Sequence, residues 1–77
     1  MEIPVSALNP QDPATIIRLD GGPQFQTKMR SLGIREGKTI RLVTKHPFHG
    51  PVVVTIDNRN VTVGRQMAGR IIVRTEQ

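Results

Sequence analysis

Residues 39–63 read TIRLVTKHPFHGPVVVTIDNRNVTV, and the apolar alternation inside this stretch decides the fold. Ile40 and Leu42 share one face with Thr44, while Arg41, Val43 and Lys45 take the other, which is the two-residue period of a half-buried strand. Val52, Val54 and Ile56 repeat the pattern. The two runs are joined through His46-Pro47-Phe48-His49-Gly50-Pro51, a hairpin with a proline-bracketed tip. Asp57-Asn58-Arg59-Asn60 predicts a second turn, because Asn tolerates left-handed backbone, and the chain returns through Val61 and Val63. The stretch is a β-meander.

Upstream of the meander the period changes. Pro23 suits a first helical position, and Phe25, Met29 and Leu32 fall at i, i+4 and i+7. Gly33 is placed as the glycine just past a helix end, with apolar Ile34 after it. Lys28 and Arg30 lie in the last two turns, where cations complement the helix dipole. Before this helix, Ala14 to Leu19 is rich in β-branched residues and is stopped by Asp20-Gly21-Gly22, which predicts a strand. Residues 1–13 hold Pro4, Pro10 and Pro13 and read as a lead-in loop anchored by Leu8. Downstream, residues 64–69 have room for one helical turn at Met67-Ala68, and Ile71 to Val73 predict a final strand. The expectation is a mainly β chain: a small SH3-like barrel of about five strands, a short helix after the first strand and a one-turn helix before the last. The predicted core is Ile16, Phe25, Met29, Leu32, Ile40, Leu42, Val54, Ile56, Val63, Ala68 and Ile71.

Seventy-seven residues predict a single domain spanning 1–77, since a chain this short buries only roughly 60% of its unfolded surface and encloses one core. With 36% hydrophobic residues against 22% charged, the composition is that of a globular domain rather than a disordered chain. Cysteine is absent, so neither disulfides nor thiolate metal sites hold the core. The longest apolar runs, Val52 to Val54 and Ile71 to Val73, fall far short of the ~20 residues that cross a bilayer. Glu2 and Pro4 stand where a secretory leader needs a basic start and an apolar stretch, so a cytoplasmic location without membrane insertion is expected. The formal net charge of +5 favours an acidic partner, although the cations are scattered from Arg18 to Arg74 with no run of three.

Catalytic chemistry has no foothold in these residues. Gly33-Ile34-Arg35-Glu36-Gly37-Lys38-Thr39 resembles a phosphate loop, but three residues separate the glycines where the motif needs four. Its context is also reversed, with a helix ending and a strand beginning. Ser6 and Ser31 lack a nearby base, and Glu2, Asp12, Asp20, Glu36, Asp57 and Glu76 sit singly at turns or termini. His46 and His49 give two nitrogen ligands without a carboxylate or thiolate, half a zinc shell, and Pro47 forbids the helix that would face both at one ion. They are low-ranking metal candidates and read more simply as polar turn residues. No cofactor is implied.

Four stretches in order carry a resemblance. Leu8 with the strand to Leu19, MRSLGIREG at 29–37, HPFHGPV at 46–52 and VTVGRQMAGRIIV at 61–73 resemble the opening, helix end, hairpin and closing segment of the ferrous iron transport protein A (FeoA) family. Its relatives include the SH3-like C-terminal domains of metal-dependent repressors. Glu36 stands where the family usually has proline, and Asp12-Pro13 replaces its common glycine turn. The resemblance implies no catalytic set. It implies an accessory or regulatory role on FeoB, a membrane transporter whose cytosolic part contains a GTPase domain.

The resulting expectation is a non-enzymatic protein of ferrous iron uptake that binds the transporter. Phe48 at the hairpin tip is the candidate anchor, with Arg41, Lys45 and Arg65 as charged contributors. One alternative is a basic barrel that binds nucleic acid, against which stands the presence of only two aromatic residues, Phe25 and Phe48. The other is a stand-alone metal-responsive domain, for which only the two histidines speak. The double substitution His46→Ala with His49→Ala should therefore leave function intact. Sub-micromolar binding of Fe²⁺ or Zn²⁺ by the purified protein, lost in the double variant, would reverse this reading.

Overall fold

A computed structural model gives the structure of the protein over residues 1–45 and 50–75, with the backbone course alone at Thr44 and Lys45. In chain order the elements are β1 (Glu2–Pro4), a 3-10 turn (Val5–Ala7), β2 (Pro13–Leu19), α1 (Pro23–Ser31), β3 (Thr39–Lys45), β4 (Val52–Ile56), β5 (Arg59–Val63), α2 (Arg65–Ala68) and β6 (Ile71–Thr75). All strands join one antiparallel sheet in the order β1-β6-β2-β3-β4-β5.

The predicted meander is β3-β4-β5. Its second turn is tighter than expected: Asp57 (φ 51°) and Asn58 (φ 62°) alone make it, and Arg59 already pairs with Ile56. Positive φ at both central residues is the primed turn whose twist matches a hairpin, and Asn and Asp accept that backbone more readily than other side chains.

Six strands form where about five were expected, because part of the lead-in pairs. Glu2, Ile3 and Pro4 lie opposite Arg74, Val73 and Ile72, so β1 is a short edge strand on β6. Pro4 and Pro13 discouraged a strand reading. An edge strand has one unpaired side, and a strand's first residue needs no ladder donor, so each position tolerates proline. The lead-in is further tied down where the Gln11 amide donates to the Leu42 carbonyl at 2.7 Å.

Two register shifts bend the sheet. Ile16 and Arg18 pair with consecutive residues Val73 and Ile72, leaving Ile17 as an extra residue in β2. Leu42 and Thr44 pair with consecutive residues Val54 and Val53, leaving Val43 extra in β3. Such bulges increase local twist and coil a sheet. The coiling is evident in the core, where Val5 and Ile3 near one edge share a single cluster with Val61 and Val63 of the other. β1 and β5 are not paired with each other, so the SH3-like barrel stays partly open.

The core is aliphatic. Nine predicted residues are buried, joined by Val5, Leu8, Ala14, Leu19, Ile34, Val52, Val61 and Val73, while Phe25 and Leu32 are only partly buried against the cluster. Among the described residues no polar or charged side chain is buried.

Helix α1 ends as the sequence indicates. Gly33 has φ 83°, its amide donates to the Arg30 carbonyl at 3.0 Å, and the Ile34 amide donates to the Met29 carbonyl at 2.9 Å. This pair of bonds satisfies carbonyls that a helix end leaves open, and buried Ile34 supplies the accompanying apolar contact. The Arg59 guanidinium donates to the Leu32 carbonyl, adding a cation at the negative end of the dipole and latching β5 to α1.

Leu42 and Ile56 are fully or almost fully buried in adjacent strands. Leu42→Ala and Ile56→Ala should each cost about 2–5 kcal/mol, a large part of what holds so small a domain together. Thermal melts of both variants that overlay the wild type would refute the strand assignment.

Candidate functional site

Each helix is rooted in the core by one residue and leaves another half outside it. Met29 of α1 and Ala68 of α2 are fully buried, whereas Phe25 and Met67 are partly exposed. Between the helices lies a groove of about 310 Å³ lined by Gln24, Phe25, Lys28, Gln66, Met67 and Arg70. The two walls have the same order of residues: Gln24-Phe25 with Lys28 three beyond, and Gln66-Met67 with Arg70 three beyond. Spacing of three to four residues puts the amide or apolar residue and the cation on one side of a helical turn. The floor is apolar and the rim polar and cationic.

The position of Phe25 depends on Gly21. A Cβ built at Gly21 would lie 2.4 Å from Phe25 Cδ2 and 2.9 Å from its Cβ, so the ring occupies space that only glycine leaves free. The Gln26 side chain donates to the Leu19 carbonyl, which ties the first turn of α1 to the end of β2.

The charge pattern sets the groove apart. Arg18 contacts Asp20 at 2.6 Å and Glu2 at 3.6 Å, Arg30 contacts Glu36 at 3.0 Å, and Lys38 contacts Asp57 at 3.0 Å. The hydrogen bond from Arg18 to Asp20, reinforced by the charge of that carboxylate, raises the arginine pKa above its ordinary value. Exposed pairs of this kind are worth about 0–1 kcal/mol each. Their larger effect is to occupy carboxylates. Lys28, Arg35, Arg41, Arg59, Arg65, Arg70 and Arg74 have no carboxylate partner among the described residues, and two of these seven line the groove, one from each helix side.

The residues singled out from sequence are placed less compactly. Arg41 is exposed on β3, donates to the Gln11 carbonyl at 3.4 Å, and borders a shallow depression with Lys38, Asp57 and Asn58. Arg65 is exposed at the start of α2 and is not among the residues lining that depression. Lys45 ends β3. His46, Phe48 and His49 lie outside the described residues. Among the described residues no three His, Cys, Asp or Glu side chains gather into a metal-holding group, and no helix is long and apolar enough to cross a membrane.

Sequence reasoning missed the groove for two reasons. Helical periodicity places Phe25 in the core, and the helix dipole by itself accounts for Lys28. The available signal was the repeated spacing of glutamine, apolar residue and cation at 24, 25, 28 and at 66, 67, 70.

Comparison with known proteins adds a lineage to this geometry. The family model of the FeoA domain matches residues 3–75. The chain is 35% identical over 69 residues to the Fe(2+) transport protein A/Fe(2+) transporter FeoB fusion protein of Porphyromonas gingivalis; the match takes in 90% of this chain and 8% of that protein. The crystal structure of an iron uptake regulatory protein, FeoA, superposes with TM-score 0.89 at 31% identity, covering 96% of this chain and 97% of the other. A manganese-dependent transcriptional repressor superposes with TM-score 0.87 at 27% identity, over 96% of this chain and 41% of the repressor. The fold is thus the small SH3-like one that FeoA structures share with the C-terminal domains of such repressors.

Gly21→Ala should push Phe25 out of its seat and cost about 1–3 kcal/mol, as overpacking does. The check is a thermal melt together with the ring-proton chemical shifts of Phe25, and an unshifted ring at unchanged stability would show that the groove floor does not depend on Gly21.

Proposed function

Because the chain belongs to the FeoA domain family, we propose that it is an accessory protein of ferrous iron uptake, acting in the cytosol by binding a FeoB-type membrane transporter. The family is a small accessory domain and not a known enzyme family, and it is linked to Fe(2+) transport. The observation that carries the reading is the Porphyromonas gingivalis relative, in which a transport protein A segment and a FeoB transporter are one chain. Covalent linkage holds two binding modules at an effective concentration in the millimolar range for short flexible linkers.

The residues proposed for that interface are Phe48 as an aromatic anchor on the proline-bracketed hairpin, with Arg41, Lys45 and Arg65 contributing to association rate and salt dependence. The excess of cations without carboxylate partners supports an acidic partner surface.

The test is a pull-down from cytosol and detergent-solubilised membrane at near-physiological salt. The transporter should be recovered with the wild type and depleted with Phe48→Ala, a weakening of ~1–3 kcal/mol at unchanged fold. Recovery of RNA in its place, with affinity falling steeply as salt rises, would overturn the iron-uptake reading in favour of a nucleic-acid-binding barrel.

A further inference from the structure

We infer that the groove between α1 and α2 is a docking site for an acidic segment of the partner protein, one apolar side chain flanked on both sides by carboxylates. The inference rests on the reading that the partner is a protein, and it adds to the hairpin anchor a second recognition site built from described residues.

Both walls offer one recognition set twice. Phe25 and Met67 form an apolar floor that the described residues leave partly exposed. A thioether beside an aromatic ring adapts its shape to an inserted aliphatic or aromatic side chain. Lys28 and Arg70 stand on opposite walls, and neither has a carboxylate partner among the described residues. Gln24 and Gln66 carry amides that can pair with the backbone of a bound peptide. Among the described residues no carboxylate lines the groove. An occupant that satisfies every element must bring an apolar group to the floor and negative charge to each rim.

Other occupants match less of the site. A free phosphate would neutralise the rim and leave the apolar floor wet. A nucleic acid strand needs stacking platforms, and the groove has one half-buried ring. A second copy of this chain is a poor donor, because four of its five described carboxylates, Glu2, Asp20, Glu36 and Asp57, already meet Arg18, Arg30 or Lys38, which leaves Asp12 alone where the groove asks for a pair.

The experiment uses labelled 15-residue peptides tiling the cytosolic segments of a FeoB-type transporter, alongside its intact cytosolic part, with binding read by fluorescence anisotropy. Peptides that bind should carry an apolar residue between carboxylates and shift the amide resonances of α1 and α2. The exposed double substitution Lys28→Glu with Arg70→Glu should melt like the wild type and bind them about tenfold or more weakly. Reversing the peptide's own charges, Glu to Lys, should recover binding to that variant. Equal binding of the intact cytosolic part by wild type and variant overturns the groove assignment and leaves the proposed function standing. Absence of binding to wild type overturns the proposed function, and the groove assignment with it. A wild type that self-associates while the variant stays monomeric overturns the inference in favour of a second copy.

Discussion

The whole molecule depends on bending one sheet far enough to enclose an aliphatic core. With only two phenylalanines and no tryptophan, tyrosine or cysteine, the chain has few large side chains and no covalent staple to fill or fasten an interior. A flat six-stranded sheet would leave Val, Ile and Leu wet on one face. The extra residues Ile17 and Val43 remove that problem by coiling neighbouring strands, so that side chains from both edges meet. Each bulge also sends a residue of its strand away from the regular alternation, which is why β2 can point Ala14, Ile16 and Leu19 all inward.

Bending the sheet without closing it leaves the helices to finish the enclosure. They do so economically. α1 contributes Met29 and α2 contributes Ala68 to the interior, each with no exposed surface. A short helix that buries one side chain cannot bury its neighbours equally well, and Phe25 and Met67 remain half-covered as a result. The groove is therefore a by-product of how the core is completed, and its cationic rim is what turns a packing remainder into a recognition surface.

Much of this was legible in the sequence because it is local. A turn within Asp57-Asn58-Arg59-Asn60, the glycine that ends α1 and the single helical turn before β6 each announce themselves within a few residues, although the exact two-residue form of that turn does not. What stayed hidden depends on distant partners. β1 exists because β6, at the other end of the chain, offers it a ladder, and nothing in Glu2-Ile3-Pro4 specifies that pairing. The bulges are set by the registers of β2 on β6 and β3 on β4, not by Ile17 or Val43 themselves. The depth of Phe25 follows from where α1 overhangs the sheet, which helical periodicity alone does not contain. Which cations are free likewise depends on which carboxylates the fold brings near Arg18, Arg30 and Lys38.

The absence of buried polar or charged side chains among the described residues has a thermodynamic corollary. Proton uptake couples to folding only through groups whose affinity for protons differs between the folded and unfolded chain. The described interior of Val, Ile, Leu, Met and Ala holds no such group, so this packing adds no pH dependence of its own. Any pH response belongs to the surface, where carboxylates and cations meet each other or a partner, and the same scaffold can carry different surfaces without retuning its core.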